Sequence, residues 1–333
     1  MKKLYRLLLT ILLVLAGCSQ NSSSTQPISK TDFYFDTVIS ITLYDSDKAY
    51  LIDECFELCE KYEKIFSKTI KTSDISKINS ANGATITIDE ETSTLISTGL
   101  HYSSLTDGYF DITIGGLSEL WNFQEKRIPD SKDIEYALQN TNHSYIQVNN
   151  NQITISNPNT KIDLGGIAKG YVADKLKEHL LDNGVTNGII DLGGNVLLIG
   201  SKPDNTNYNI GIAKPFGKNS ETIAVVRASD KSIVTSGNYQ RYFYDEDGNL
   251  YHHILNPHTG YPVNNGLNSV TIISDKSIDG DALSTSCFLL GIDEGIKLIE
   301  DMEETEAIFI DNKNNITLSS GLTMKDNVIS ISN

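Results

Sequence analysis

Asp163-Leu164-Gly165-Gly166-Ile167-Ala168-Lys169-Gly170 is the stretch on which the reading of this chain turns. An apolar, strand-like run leads into it: Ile153-Thr154-Ile155, then Lys161-Ile162. Behind it Ile167, Tyr171, Leu176 and Leu180 recur at helical spacing, and Asn183-Gly184 supplies a left-handed stop. The stretch therefore predicts a strand ending in an acid, a two-glycine turn and a helix. Glycines let a ligand approach the backbone, and a helix N-terminus beside a lysine attracts an anion such as phosphate. A structural corner with a solvated Lys169 fits the same eight residues equally well.

On the N-terminal side, Phe33 to Leu43 reads as one strand, with Val38, Ile39 and Ile41 apolar. Residues 46–66 predict an amphipathic helix with Leu51, Cys55, Leu58, Tyr62 and Ile65 on one stripe. Asn82-Gly83 predicts a turn before the alternating Thr85–Ile88, and Asp89 a cap for a helix reaching about Leu105. The polar stretch 122–150 reads as surface. On the C-terminal side a second Asp-Leu-Gly-Gly, Asp191–Gly194, lies between two strands rather than before a helix. From 208 to 273 the pattern is all strand, with Asp247-Gly248 as a hairpin turn. Helices follow at about 278–290 and 293–302, then strands at 307–310, 316–318 and 328–331. Antiparallel runs segregated from helices indicate an α+β fold.

The chain has 333 residues, enough for one large or two medium domains, and its 43 acidic against 27 basic residues argue against a nucleic-acid binder. Lys2, Lys3 and Arg6 precede the apolar Leu7–Leu15, and Leu15-Ala16-Gly17-Cys18 resembles a bacterial lipoprotein signal-peptidase box. That box makes residues 1–17 a signal peptide and Cys18 the lipid carrier. Residues 18–31, rich in Ser, Asn, Gln and Thr, read as a flexible tether to the membrane. Cys55, Cys59 and Cys287 remain; an odd number in apolar settings reads as small core residues rather than a disulfide framework.

Two further clusters carry chemistry. Asp281 and Thr285 stand one helical turn apart, so carboxylate and hydroxyl share a face that suits a hard cation such as Mg²⁺. An acid at a helix start and a buried threonine explain the same pair. Three of the six histidines fall within His252–His258, and a strand places His252 and His253 on opposite faces. No Gly-x-Ser-x-Gly elbow and no Gly-x-x-x-x-Gly-Lys-[Ser/Thr] loop occurs.

Five pieces, taken in order, resemble the ApbE family of FAD:protein FMN transferases: Gly108–Thr113, residues 163–170, Thr235–Tyr239, His253–Pro262 and Asp279–Thr285. The resemblance covers roughly residues 32–333. It implies an ApbE-like (T-fold-like) domain with antiparallel sheets, flanking helices and a flavin site in the cleft between two subregions. It also implies Mg²⁺ as cofactor and FAD as substrate, FMN being attached through its phosphate to a threonine of a partner protein while AMP leaves. By the same resemblance Asp281, Thr285 and a main-chain oxygen at Gly166 would hold Mg²⁺. Phe35, Tyr109, Phe110, Asp111, Asp163, Lys169 and Ile254 would contact FAD, with His253 and Asp281 as the catalytic pair. Phe35-Asp36-Thr37 departs from the Met-Gly-Thr of many relatives, and His258 stands where they often carry arginine or another polar residue. An acceptor with a Ser/Thr-Gly-Ala-Thr segment, and a lipid-anchored location at the extracytoplasmic face of the cell membrane, complete the expectation. An FAD pyrophosphatase and a non-catalytic flavin-binding lipoprotein stay open beside it.

Overall fold

The computed structural model describes residues 26–218 and 221–332. The expected signal peptide, Cys18 and most of the expected tether lie outside the described residues.

The chain begins with β1 (Ile28–Tyr34), β2 (Thr37–Leu43), α1 (Leu51–Phe66), α2 (Asp74–Ser80), β3 (Ile86–Thr87), α3 (Glu90–Leu105), α4 (Gly115–Leu120) and α5 (Ser131–Gln139). It continues with β4 (Ile146–Asn149), β5 (Gln152–Ile155), α6 (Ala168–Asp182), β6 (Gly188–Leu192), β7 (Asn195–Ile199), β8 (Tyr208–Ala213), β9 (Thr222–Ala228) and β10 (Ser232–Gly237). The last third holds β11 (Tyr242–Tyr244), β12 (Leu250–His252), β13 (Leu267–Ser274), α7 (Ser277–Leu290) and α8 (Ile292–Glu300). It ends with β14 (Glu306–Asp311), β15 (Ile316–Leu318), β16 (Leu322–Lys325) and β17 (Val328–Ile331).

Eight strands form one antiparallel sheet in the order β1-β2-β6-β7-β10-β13-β14-β15. Strand alternation splits its side chains between two cores. In β14, Ala307 and Phe309 join the core beneath the helices, whereas Ile308 and Ile310 face the four-stranded sheet β16-β17-β9-β8. β13 is covered on both sides, and all eight of its residues are buried. The fold is α+β, as the pattern of elements indicated. A third, smaller core gathers Leu117, Trp121, Ile134, Ala137, Phe243 and Leu255 from α4 and the residue after it, α5, β11 and the segment after β12.

Local chemistry explains some element ends. Asp89 caps α3 by accepting from the Glu91 N–H at 2.9 Å, and Asn183-Gly184 ends α6 with Gly184 at φ 74°. On α1, Leu51, Cys55 and Tyr62 are buried. Cys55, Cys59 and Cys287 are buried free thiols, each pushed up to about 12 by burial, and are inert core residues.

Three expectations need correction. Phe33–Leu43 is not one strand: β1 and β2 form a tight hairpin whose turn, Phe35-Asp36, has φ 53° and 56°. β1 begins at Ile28, inside the stretch expected as tether, because an edge strand needs main-chain partners on β2 rather than apolar side chains. Residues 122–150 are not merely surface, since they include α5 and β4, with Ile134, Ala137 and Ile146 buried.

The helix layer turns on Gly170. A Cβ there would overlap the Ser277 main-chain oxygen and lie 2.7 Å from the Ile278 Cα, so α6 and the start of α7 touch backbone to backbone. Gly170→Ala is expected to lower the unfolding free energy by about 2 kcal/mol or more, read from urea denaturation. An unchanged midpoint would show that the two helices can separate at little cost.

Candidate active site

The Asp163 corner is assembled from three directions. The Asp163 N–H donates to the Ile112 carbonyl at 2.8 Å, and the Asn79 amide pairs with both main-chain groups of Ile162, at 2.7 and 2.9 Å. The Asp163 carboxylate accepts from Lys68 Nζ (2.6 Å), Ser118 Oγ (2.7 Å) and the Gly165 N–H (2.9 Å). Burial alone would push this carboxyl up. The Lys68 ammonium and the two further donors outweigh burial and hold it below the ordinary range. Asp163 is thus a fixed anion that shapes the glycine turn.

Gly166 lies under the ring of buried Phe110: a Cβ would sit 3.1 Å from Phe110 Cε2 and 3.8 Å from Thr285 Oγ1. One residue into α6, Lys169 Nζ lies 3.2 Å from Asp281 Oδ1, 3.5 Å from Oδ2 and 3.4 Å from the Gly165 carbonyl. The Gly170 N–H donates to Asp281 Oδ2 at 2.9 Å. Ser236 of β10 closes the group, its hydroxyl 3.2 Å from Thr285 Oγ1 and 2.9 Å from Ser284 Oγ. Gly166 and Lys169 meet Asp281 and Thr285, over a hundred positions away in sequence, in one place. Asp281, Thr285, Ser236 and the Gly165-Gly166 main chain present hard oxygens, which is the donor set Mg²⁺ takes.

The two adjacent histidines divide as strand geometry requires. His252 packs into the core against Phe288; its Nε2 donates to the Val263 carbonyl at 2.9 Å and its Nδ1 accepts the Ile254 N–H at 3.3 Å. Those partners fix a neutral tautomer, and burial pushes the ring down to about 4. His253 faces the other way. Burial above all, with the His252 ring and the Arg241 and Lys169 charges nearby, pushes its ring down to about 3 against the Arg241 carbonyl that favours the charged form. Its buried Nδ1 has no hydrogen-bond partner among the described residues.

Other expected residues fall differently. Tyr109 meets His258 edge to face, with centroids 4.8 Å apart. Asp111 is spent on protein donors, accepting from the Thr113 N–H and hydroxyl (2.8 and 2.6 Å) and the His143 N–H (3.0 Å), so its side chain orders its loop and ties it to the His143 segment. Ile254 is a core side chain whose N–H and carbonyl are both paired, which makes it wall rather than donor. Phe35 sits in the β1–β2 turn, where its N–H donates to Glu63 Oε1 at 2.7 Å; no hydrogen bond among the described residues ties it to the Asp281 group. Sequence reading missed Lys68, Ser118 and Asn79. Lys68 stands 95 positions from Asp163, so no local pattern could pair them.

A family model described as the ApbE family matches residues 35–309. The chain belongs to the ApbE family. A curated relative from Klebsiella pneumoniae (strain 342), named FAD:protein FMN transferase, is 36% identical over 287 residues, covering 85% of this chain and 88% of its own. The solved ApbE protein of Thermotoga maritima superposes with a TM-score of 0.82 at 32% identity, covering 89% of this chain and 97% of its own. The flavin transferase ApbE of Vibrio cholerae gives 0.77 at 25% identity, with 89% and 97% covered. The α+β architecture described above is therefore the ApbE fold.

The His252 environment makes stability pH-dependent. Its ring titrates near 4 when folded against 6.5 for an ordinary histidine, so between those values the unfolded chain binds the extra proton. Stability falls as pH drops from about 6.5 toward 4 and is indifferent to this group above that window. His252→Gln is expected to remove about 1 kcal/mol per pH unit from that slope, measured by urea unfolding at pH 7, 6 and 5. An unaltered slope would mean that His252 charges freely in the folded protein.

Proposed function

We propose that this chain is a Mg²⁺-dependent FAD:protein FMN transferase acting on a threonine of an extracytoplasmic redox protein. The transferase class follows from family membership and from the name its curated relatives carry. The observation that carries the finer reading is the meeting of Gly166, Lys169, Asp281 and Thr285 beside a neutral His253.

Asp281, Thr285 and the main-chain oxygen of the Gly165-Gly166 turn would hold the metal. When bound, Mg²⁺ supplies neutralisation of diphosphate charge as AMP leaves. The remaining work belongs to the chain itself. Lys169, at the start of α6, would meet the phosphates, where a helix N-terminus also favours an anion. Phe110 and Tyr109 offer ring surface to the flavin. His253, uncharged, would accept the threonine proton on its ring, and the arriving diphosphate anion would raise its affinity for that proton. The threonine oxygen bonds to the FMN phosphorus as the bridging bond to AMP breaks.

The Leu15–Cys18 box supports a lipid anchor on Cys18 and a place at the extracytoplasmic face of the cell membrane. The acceptor proposed is a protein carrying a Ser/Thr-Gly-Ala-Thr segment. The test combines purified protein, FAD, Mg²⁺ and such an acceptor, with in-gel flavin fluorescence after denaturation. A band is expected that requires Mg²⁺ and falls about 100-fold or more in Asp281→Ala and in His253→Ala. FMN and AMP in solution over an unlabelled acceptor would favour a pyrophosphatase; intact FAD would leave a flavin binder.

A further inference from the structure

The Lys169 ammonium touches Gly165 O at 3.4 Å, Asp281 Oδ1 at 3.2 Å and Asp281 Oδ2 at 3.5 Å. These acceptors are among the oxygens that the proposed function gives to the divalent cation. Ammonium–carboxylate bonds committed to one partner run shorter, about 2.7–2.9 Å. Lys169 is instead shared among three acceptors, in the manner of an ion seated between ligands. Its partner is nearly sealed from solvent, with the Asp281 side chain 5% exposed and that of Lys169 26% exposed. A buried carboxylate without a positive neighbour is costly, so the metal-free site needs some cation there. Asp281 would nevertheless stay in place if the lysine left, because the Gly170 N–H holds Oδ2 at 2.9 Å.

We propose that Lys169 is the built-in counter-cation of the Asp281 site, seated among the metal's oxygens when no metal is bound and expelled by the divalent cation. Expulsion frees the ammonium for the substrate diphosphate, so metal loading and delivery of the phosphate-binding lysine become one event. The inference rests on the metal reading above. An internal competitor lowers the apparent metal affinity by the fraction of time the pocket is occupied. Neutralising the lysine must therefore tighten metal binding, whereas a charge-preserving replacement must not. A lysine that only contacted substrate would leave metal affinity unchanged, and one that only shaped the pocket would weaken binding when replaced by either residue.

The purified full chain, in detergent and stripped of metal, would be titrated with Mg²⁺ by calorimetry and with Mn²⁺ by electron paramagnetic resonance. Wild type is compared with Lys169→Gln, Lys169→Arg and Asp281→Asn. The expectation is about 10-fold tighter binding for Lys169→Gln, a change within about threefold for Lys169→Arg, and loss of binding for Asp281→Asn. The melting temperature of metal-free Lys169→Gln should fall below wild type and recover in saturating Mg²⁺. If that variant is unfolded without metal, refolding in Mg²⁺ supports the proposal. Failure to refold, with Lys169→Arg folded and also weakened for metal, overturns it. Asp281-dependent binding by wild type with equal or weaker binding by Lys169→Gln sinks the counter-cation alone. No binding of either metal by any form removes the metal reading itself.

Discussion

Everything at the candidate site depends on how closely α6 and α7 approach. With no side chain at Gly170, the Ser277 carbonyl rests against the α6 backbone, and two cross-helix contacts become possible. The Gly170 N–H reaches Asp281 on α7 at 2.9 Å, and the Asp174 carboxylate of α6 accepts from the Ser277 and Ile278 N–H groups at 2.7 and 2.9 Å. Each helix thereby satisfies polar groups of the other that its own ladder leaves open. Burial pushes the Asp174 carboxyl up to about 6 even though those two N–H groups pull it down. An approach looser by one methyl would strand both carboxylates in a poorly hydrated space.

The same low-polarity interior is used to opposite ends by neighbouring groups. Asp163 is kept ionised because Lys68, Ser118 and the Gly165 N–H all point at it. His252 is kept neutral by burial, which outweighs the Val263 carbonyl that favours the charged ring, while the Ile254 N–H occupies its Nδ1. His253, one residue on, is neutral as well, but with Nδ1 unpartnered among the described residues. Charged and hydrogen-bonding partners make one of these groups a fixed anion against the pull of burial, and burial leaves the two rings neutral.

Much of this was legible along the chain. The capped helix after Asp89, the left-handed stop at Gly184, the Asp247-Gly248 hairpin and the alternation of the later strands are local matters, written in spacing and turn chemistry. The five ordered motifs were legible too, and with them the family. Less was visible where tertiary contact overrides local preference. Phe35-Asp36 turns left-handed without a glycine because β1 and β2 pair on either side of it, and α5 is helical within a stretch too polar to announce a core face.

The sequence alone determined most of the longer elements, the α+β class and the residue types available for phosphate and metal chemistry. Only the tertiary structure decided which of those residues meet. Asp281 and Lys169 are 112 positions apart, and Lys68 and Asp163 are 95 apart. Such pairs follow from strand order and helix crossing, which no short-range pattern encodes. The structure also decided which histidine is spent on the core and that Asp111 is consumed by Thr113 and His143. The physical reason is the same in each case. A side chain's chemistry is set by what is packed around it, and that packing is a property of the whole fold.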